Sequence, residues 1–146
     1  MSIFPVKILL ATDGSEEARL AARTAVELAN RTGSELHIVH VGELLPTFFA
    51  QTEVEPAQLE REAQKLLDEQ VKSIEGAGGT VMEAHLKLGR AEHEIVTLAE
   101  QVGAGLVVMG SRGLGGIRRA LMGSVSDSVV RHAHCPVLVV REDEQR

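Results

Sequence analysis

Four short apolar runs rich in Val, Ile or Leu punctuate the chain, at residues 6–11, 36–41, 105–109 and 136–140. They show little of the strict alternation of a half-exposed strand, and near-continuous apolarity suits strands covered on both faces, as in a parallel sheet. A fifth segment, 80–88, alternates more and belongs nearer a sheet edge. Helical patterns lie between these runs. Residues 15–32 carry Ala18, Ala21, Ala22, Ala25, Leu28 and Ala29 at helical spacing, with Ser15 as N-cap and Gly33 just past the end. Residues 56–77 form a longer helix, opened by Pro56 and closed by a GAGG run. Segments 91–102 and 124–132 supply two more. Strand followed by helix, repeated to five strands, predicts an α/β fold: one doubly wound five-stranded parallel sheet. The length of 146 residues fits a single domain over 1–146. Segment 42–55, GELLPTFFAQTEVE, is the one long irregular stretch. It reads equally as a lid over a ligand or as a flap presenting Phe48 and Phe49 to a partner.

Acids outnumber bases by 21 to 15, and the chain has three Phe and no Trp or Tyr. Nucleic-acid binding calls for a basic face and, for single strands, aromatic platforms, so no nucleic-acid partner is expected. The N-terminal MSIFPVKILLATDG lacks a basic leader region and a small-residue cleavage site, and no window approaches a membrane span. The expectation is a cytoplasmic protein without membrane association. A single cysteine, Cys135, excludes an internal disulfide framework. The RHAHC motif gathers His132, His134 and Cys135, but an extended segment offers at most two of them to one point. No metal site is assigned there, and His37 and His40, inside the second strand, read as structural.

Against this acidic background, residues 107–130 hold five glycines and three arginines, with no acid before Asp127. The loop follows the fourth strand directly, and in open α/β sheets ligands bind beyond the carboxyl ends of strands. Glycines there let backbone N–H groups approach an anion, and the loop runs into the positive end of the next helix. Arg112, Arg118 and Arg119 add cationic charge. Phosphate matches each of these features. A P-loop would need a Lys after its second glycine, and a dinucleotide fingerprint would need glycine where Arg118 stands. The spacing present is Gly110-x-x-Gly113, nine residues, then Gly123-Ser124.

That spacing resembles the nucleotide-binding branch of the universal stress protein family, matched at Gly110, Gly113, Gly123 and Ser124. The resemblance extends to VKILLATDGSEEA at the first strand and to SVSDSVVRHAHCPVLVVR near the end, covering about residues 6–141. It implies strand order 3-2-1-4-5, binding of ATP or AMP with Mg2+ or Mn2+ accompanying the phosphates, a role as a nucleotide-responsive regulator in stress, and homodimers. In that order the switch point lies between strands one and four, so Ala11, Thr12 and Asp13 face Gly110 across it. Asp13 would accept hydrogen bonds from the ribose, or form the turn at Gly14, or both. By resemblance the Val41 backbone meets the adenine edge, with Ala11 and Met109 as packing partners that could equally be core. Arg112 would contact phosphate. Ser124 reads as an N-cap paired with Asp127, its hydroxyl and the Val125 and Ser126 amides also serving as phosphate donors.

No nucleophile-and-base constellation is visible, and Asp13 is the one carboxylate the sequence places beside the ligand. The alternative to a regulator is a slow ATP hydrolase or phosphotransferase using the same pocket; a partner-binding protein without nucleotide is a third reading. The apolar run 136–140 would lie at a sheet edge, and an unpaired edge of this kind is expected to pair with a second copy.

Overall fold

The computed structural model describes residues 2–43, 55–112 and 123–142. Among the described residues nine elements follow in strict alternation: β1 (Lys7–Ala11), α1 (Glu16–Thr32), β2 (Glu35–Glu43), α2 (Pro56–Gly76), β3 (Val81–Gly89), α3 (Ala91–Val102), β4 (Leu106–Gly110), α4 (Ser124–His132) and β5 (Val137–Val140). All strands are parallel in the order β3-β2-β1-β4-β5. The expected doubly wound sheet is present, with the order reversing between β1 and β4.

Successive residues of each strand feed two different cores, which is why the runs carry so little polar alternation. Ile8, Leu10, Leu36, Ile38, Leu106 and Val108 pack with Ala21, Ala25 and Ala29 of α1 and Leu67 and Ile74 of α2. Leu9, Ala11, Val39, Val107 and Met109 pack on the other face with Ile95, Leu98 and Ala99 of α3 and Val129 of α4. Small alanines on α1 let that helix approach the central strands closely. Cys135 is half-buried against the second core, and burial pushes its thiol pKa up.

Helix ends follow the local signals. The Ser15 hydroxyl accepts from the Ala18 N–H at 3.2 Å, and Gly33 closes α1 in the left-handed region at φ 70°. Pro56 occupies the first turn of α2, where a missing N–H costs nothing. The irregular segment begins later than expected. Gly42 and Glu43 belong to β2, held by pairing with Leu88 and Gly89. Residues 44–54, with Phe48 and Phe49, lie outside the described residues. At the other side of the sheet, β5 pairs with β4, and no second strand neighbours it among the described residues. Leu138 on β5 and Val130 on α4 are exposed there. No helix of the described residues is long and apolar enough to cross a membrane.

Candidate functional site

Parallel strands send all their carboxyl ends to one rim, and a cleft of about 610 Å³ opens on that rim over β1, β2 and β4. Ala11, Thr12, Asp13, Val41, Met109, Gly110 and Arg112 line it, as do Gly123, Ser124, Val125 and Ser126 at the start of α4. The topology therefore brings together the anticipated residues from four separate segments. Gly113, Arg118 and Arg119 lie outside the described residues.

The β1 end is held by its own polar groups. The Thr12 N–H donates to the Val39 carbonyl at 3.0 Å, and His40 Nδ1–H donates to the Thr12 carbonyl at 2.8 Å. Asp13 Oδ1 accepts from the Ser15 N–H at 2.9 Å, across a Gly14 at φ 80°. Asp13 thus forms the turn that swings the chain into α1 while remaining on the cleft wall.

The start of α4 differs from the expectation. Its N-cap is Gly123, without a side-chain cap, and Ser124 is already helical. The first helical bond runs from the Asp127 N–H to the Gly123 carbonyl at 2.9 Å. The amides of Ser124, Val125 and Ser126 accordingly have no intrahelical acceptor, and these three residues line the cleft. The Ser126 hydroxyl donates to the Ser111 carbonyl at 2.6 Å, and the Gly123 N–H donates to the same oxygen at 2.6 Å. These bonds tie the exit of the glycine-rich loop to its entrance.

The glycines also serve a purpose other than the expected one. Neither Gly110 nor Gly123 has a positive φ. A Cβ on Gly110 would sit 3.0 Å from the Glu17 carbonyl carbon and 3.1 Å from the Ala18 nitrogen. One on Gly123 would sit 3.1 Å from the Ser111 oxygen. Close approach of backbone to backbone favours glycine at both positions, since a Cβ would push the neighbouring chain back by a few tenths of an ångström.

Charge in the cleft is divided. Arg112 supplies cationic charge beside α4, while Glu43, Glu62 and Glu92 join Asp13 on the walls. Asp13 is therefore not the sole carboxylate near the site. The Glu92 carboxyl is held below the usual range by its own backbone N–H, against burial, with help from Arg90. Beneath Arg112 lies a further acid, Glu17, only 4% exposed. Burial alone would raise its pKa, but hydrogen bonds from the Ser111 hydroxyl, the Glu142 N–H and Arg112 more than offset that and lower it. Among the described residues no group of three or more His, Cys, Asp or Glu side chains is placed to hold a metal ion.

Residues 6–141 match the model of the universal stress protein family. The chain belongs to the universal stress protein family. A universal stress protein of Methanocaldococcus jannaschii is 34% identical over 143 residues, covering 95% of this chain and 84% of the relative. A universal stress protein from Archaeoglobus fulgidus, solved in complex with dAMP, superposes with a TM-score of 0.69 at 27% identity, over 94% of this chain and 99% of that one. Another universal stress protein, solved in complex with cAMP, gives 0.72 at 25% identity, over 92% and 97%.

Within this universal stress protein fold, sequence reasoning passed over the far wall of the cleft, formed by Leu59, Ala63 and Leu66 of α2 and Ala91 and Ile95 of α3. Those residues carry the ordinary apolar helical pattern, and nothing local distinguishes them from core. Glu17 did leave a signal. It stands one helical turn before Ala21 on the buried Ala21–Ala25–Ala29 stripe, where a charge is out of place.

Proposed function

We propose that this chain binds an adenine nucleotide, ATP or AMP, and acts as a nucleotide-responsive regulator in the cytoplasm during stress. The observation that carries the reading is the start of α4: three cleft-lining residues whose amides have no intrahelical acceptors, beside Arg112, at the sheet's switch point. Phosphate oxygens suit those donors. The adenosine moiety then extends along Ala11, Asp13, Val41 and Met109, with aliphatic packing in place of aromatic stacking. Universal stress proteins solved in complex with dAMP and with cAMP support an adenine ligand. A divalent cation, Mg2+ or Mn2+, would be ligated chiefly by the phosphates themselves, given the described side chains.

Denaturing the purified protein and identifying released nucleotide by chromatography and mass tests the reading. Titration calorimetry with ATP, AMP and adenosine then ranks the ligands. A protein that carries no nucleotide and takes up none of the three defeats it. Release of ADP over many turnovers would favour a hydrolase instead of a regulator.

The exposed edge of β5 supports a homodimer in which two final strands pair about a two-fold axis. Light scattering is then expected to give twice the 15.7 kDa chain mass. Val139→Lys should shift that value towards the monomer.

A further inference from the structure

Glu17 is a buried carboxylate that the nucleotide reading leaves unused. Its side chain is 6% exposed, and all three of its identified donors lie far away in the chain. Oε2 accepts from the Ser111 hydroxyl at 2.6 Å and from the Glu142 N–H at 2.9 Å. Oε1 accepts from Arg112 Nε at 2.9 Å. Ser111 and Arg112 are the first two residues after β4 and both line the cleft; Glu142 lies two residues beyond β5. The Ser111 N–H also donates to the Val140 carbonyl at 2.9 Å, so the same few residues join α1, the loop entrance and the end of the last strand.

Filling the α1 stripe does not require a charge. Apolar residues of similar volume often replace buried ion pairs at no loss of stability, whereas an acid there must recover its desolvation cost from its partners. Glu17 recovers it from the first turn of α1, whose dipole favours an anion, and from donors that all belong to the loop anchor or to the strand end beside it. What the carboxylate adds is direction. A guanidinium carries its N–H donors in one rigid plane, so fixing Nε fixes where the remaining donors lie. Holding the Ser111 side chain steadies the residue whose carbonyl receives both Gly123 and Ser126 from the loop exit.

We infer that Glu17 is a positioning residue for the phosphate end of the cleft: it orients Arg112 and fixes the joined ends of the glycine-rich loop before a phosphate arrives. The inference rests on the nucleotide reading above. Its effect is specific to the phosphate, because Arg112 and the start of α4 lie at that end, whereas Glu17's hydrogen bonds go to Ser111, Arg112 and Glu142 and to none of the proposed adenosine contacts Ala11, Asp13, Val41 and Met109.

The test is titration calorimetry of the parent, E17Q and S111A proteins with AMP and with adenosine at one ionic strength. E17Q is expected to weaken AMP about tenfold while adenosine changes by less than about twofold. S111A, which removes a single donor, should give a smaller loss with the same split. Glu16→Gln removes an equal charge from the same turn on its exposed side and should leave both affinities unchanged. Amide exchange in the ligand-free proteins should show lower protection at Glu142 in E17Q. An AMP affinity that is unchanged, tightened, or reduced in step with adenosine overturns the inference. If E17Q does not fold, S111A decides the matter by the same split. A parent that binds neither ligand brings down the nucleotide reading and this inference together. A parent that binds AMP beside an insensitive E17Q brings down the inference alone.

Discussion

Helices α1 and α4 follow β1 and β4, the two strands at which the order reverses, and pack on opposite faces of the sheet, yet their first turns are built differently. At α1 the chain supplies acceptors of its own: Ser15 caps the Ala18 N–H, Asp13 takes the Ser15 N–H, and the Glu17 carboxylate occupies the first turn. At α4 the N-cap is a glycine with no side chain to offer, and its own N–H is bonded to the Ser111 carbonyl. Each start has first-turn amides that need an acceptor from outside the helix, and the same positive dipole end. The difference lies in whether the protein supplies the acceptor or leaves that to a ligand. A start already capped from within has little left to offer an anion, so the uncapped one is the place to look for phosphate.

The most damaging test of this contrast is Gly123→Val. A branched side chain there meets the Ser111 carbonyl and crowds the amides of α4. ATP affinity should fall by about a hundredfold, the loss of two charge-assisted hydrogen bonds, with the circular dichroism spectrum retained. Parent-like binding by that variant would remove α4 from the site. Next in size is Arg112→Gln, for which calorimetry should show ATP weakened about tenfold and adenosine nearly unaffected. Equal loss for both ligands would mean that Arg112 acts through folding.

A pair of serine variants then sharpens the contrast. Ser15→Ala should cost about 1 kcal/mol in urea unfolding, the value of a helix cap, with nucleotide affinity unchanged. Ser124→Ala should leave stability within about 0.5 kcal/mol, because Ser124 is not the cap, and weaken ATP by about threefold. The opposite pattern would show that the two starts have been assigned the wrong way round.

The smallest effect concerns acid. His37 and His85 stack with ring centroids 5.8 Å apart on β2 and β3, and His37 Nδ1 and His85 Nε2 are buried without hydrogen bonds. His85 Nε2 does lie 3.2 Å from Glu83 Oε1, close enough for charge attraction but off hydrogen-bond alignment. Burial lowers the His85 pKa below 6.5; Glu83 opposes this, and His37 and Lys87 add to it. The unfolded chain therefore takes up the proton first. Stability should be full above pH 6.5 and decline as the pH falls towards the folded value. Glu17 adds a second decline below pH 4.5, since its folded pKa is also lowered. Urea midpoints measured across this range should lose their upper step in His85→Gln, and a flat parent profile would contradict the assignment.

Much of this architecture was legible from residues close together in the chain. The bounds of α3 and α4 and the Ser15 and Gly33 caps of α1 follow from local periodicity and end signals. The strand order came from family resemblance, since periodicity does not state which strands are neighbours. Features set by distant contacts were harder to read. β2 runs on through Gly42 because β3 pairs with it there, against the local propensity of glycine. Gly110 looked like a phosphate glycine, whereas its immediate constraint is the backbone of Glu17 packed against it. Ser124 looked like a cap because Asp127 follows three residues later, but the helix begins one residue earlier. Glu17 itself gains its partners from 94 to 125 residues away.

The opposite rim of the sheet has a practical consequence. There α1 and α3 end in matching turns, with Gly33 at φ 70° and Gly103 at φ 71°, each followed by an N–H that reaches back to the helix: Ser34 to Ala29 and Ala104 to Ala99. Glycine's left-handed backbone makes these turns tight, and a Cβ on either residue would meet nothing within 4 Å. The five residues of β1 separate this rim from the cleft by about 16 Å. A fluorophore attached through cysteine at exposed Arg31, beside the first of these turns, would report on tumbling and assembly while leaving the ligand rim untouched. Surface immobilisation through the same position would present the cleft outward, towards whatever flows past it.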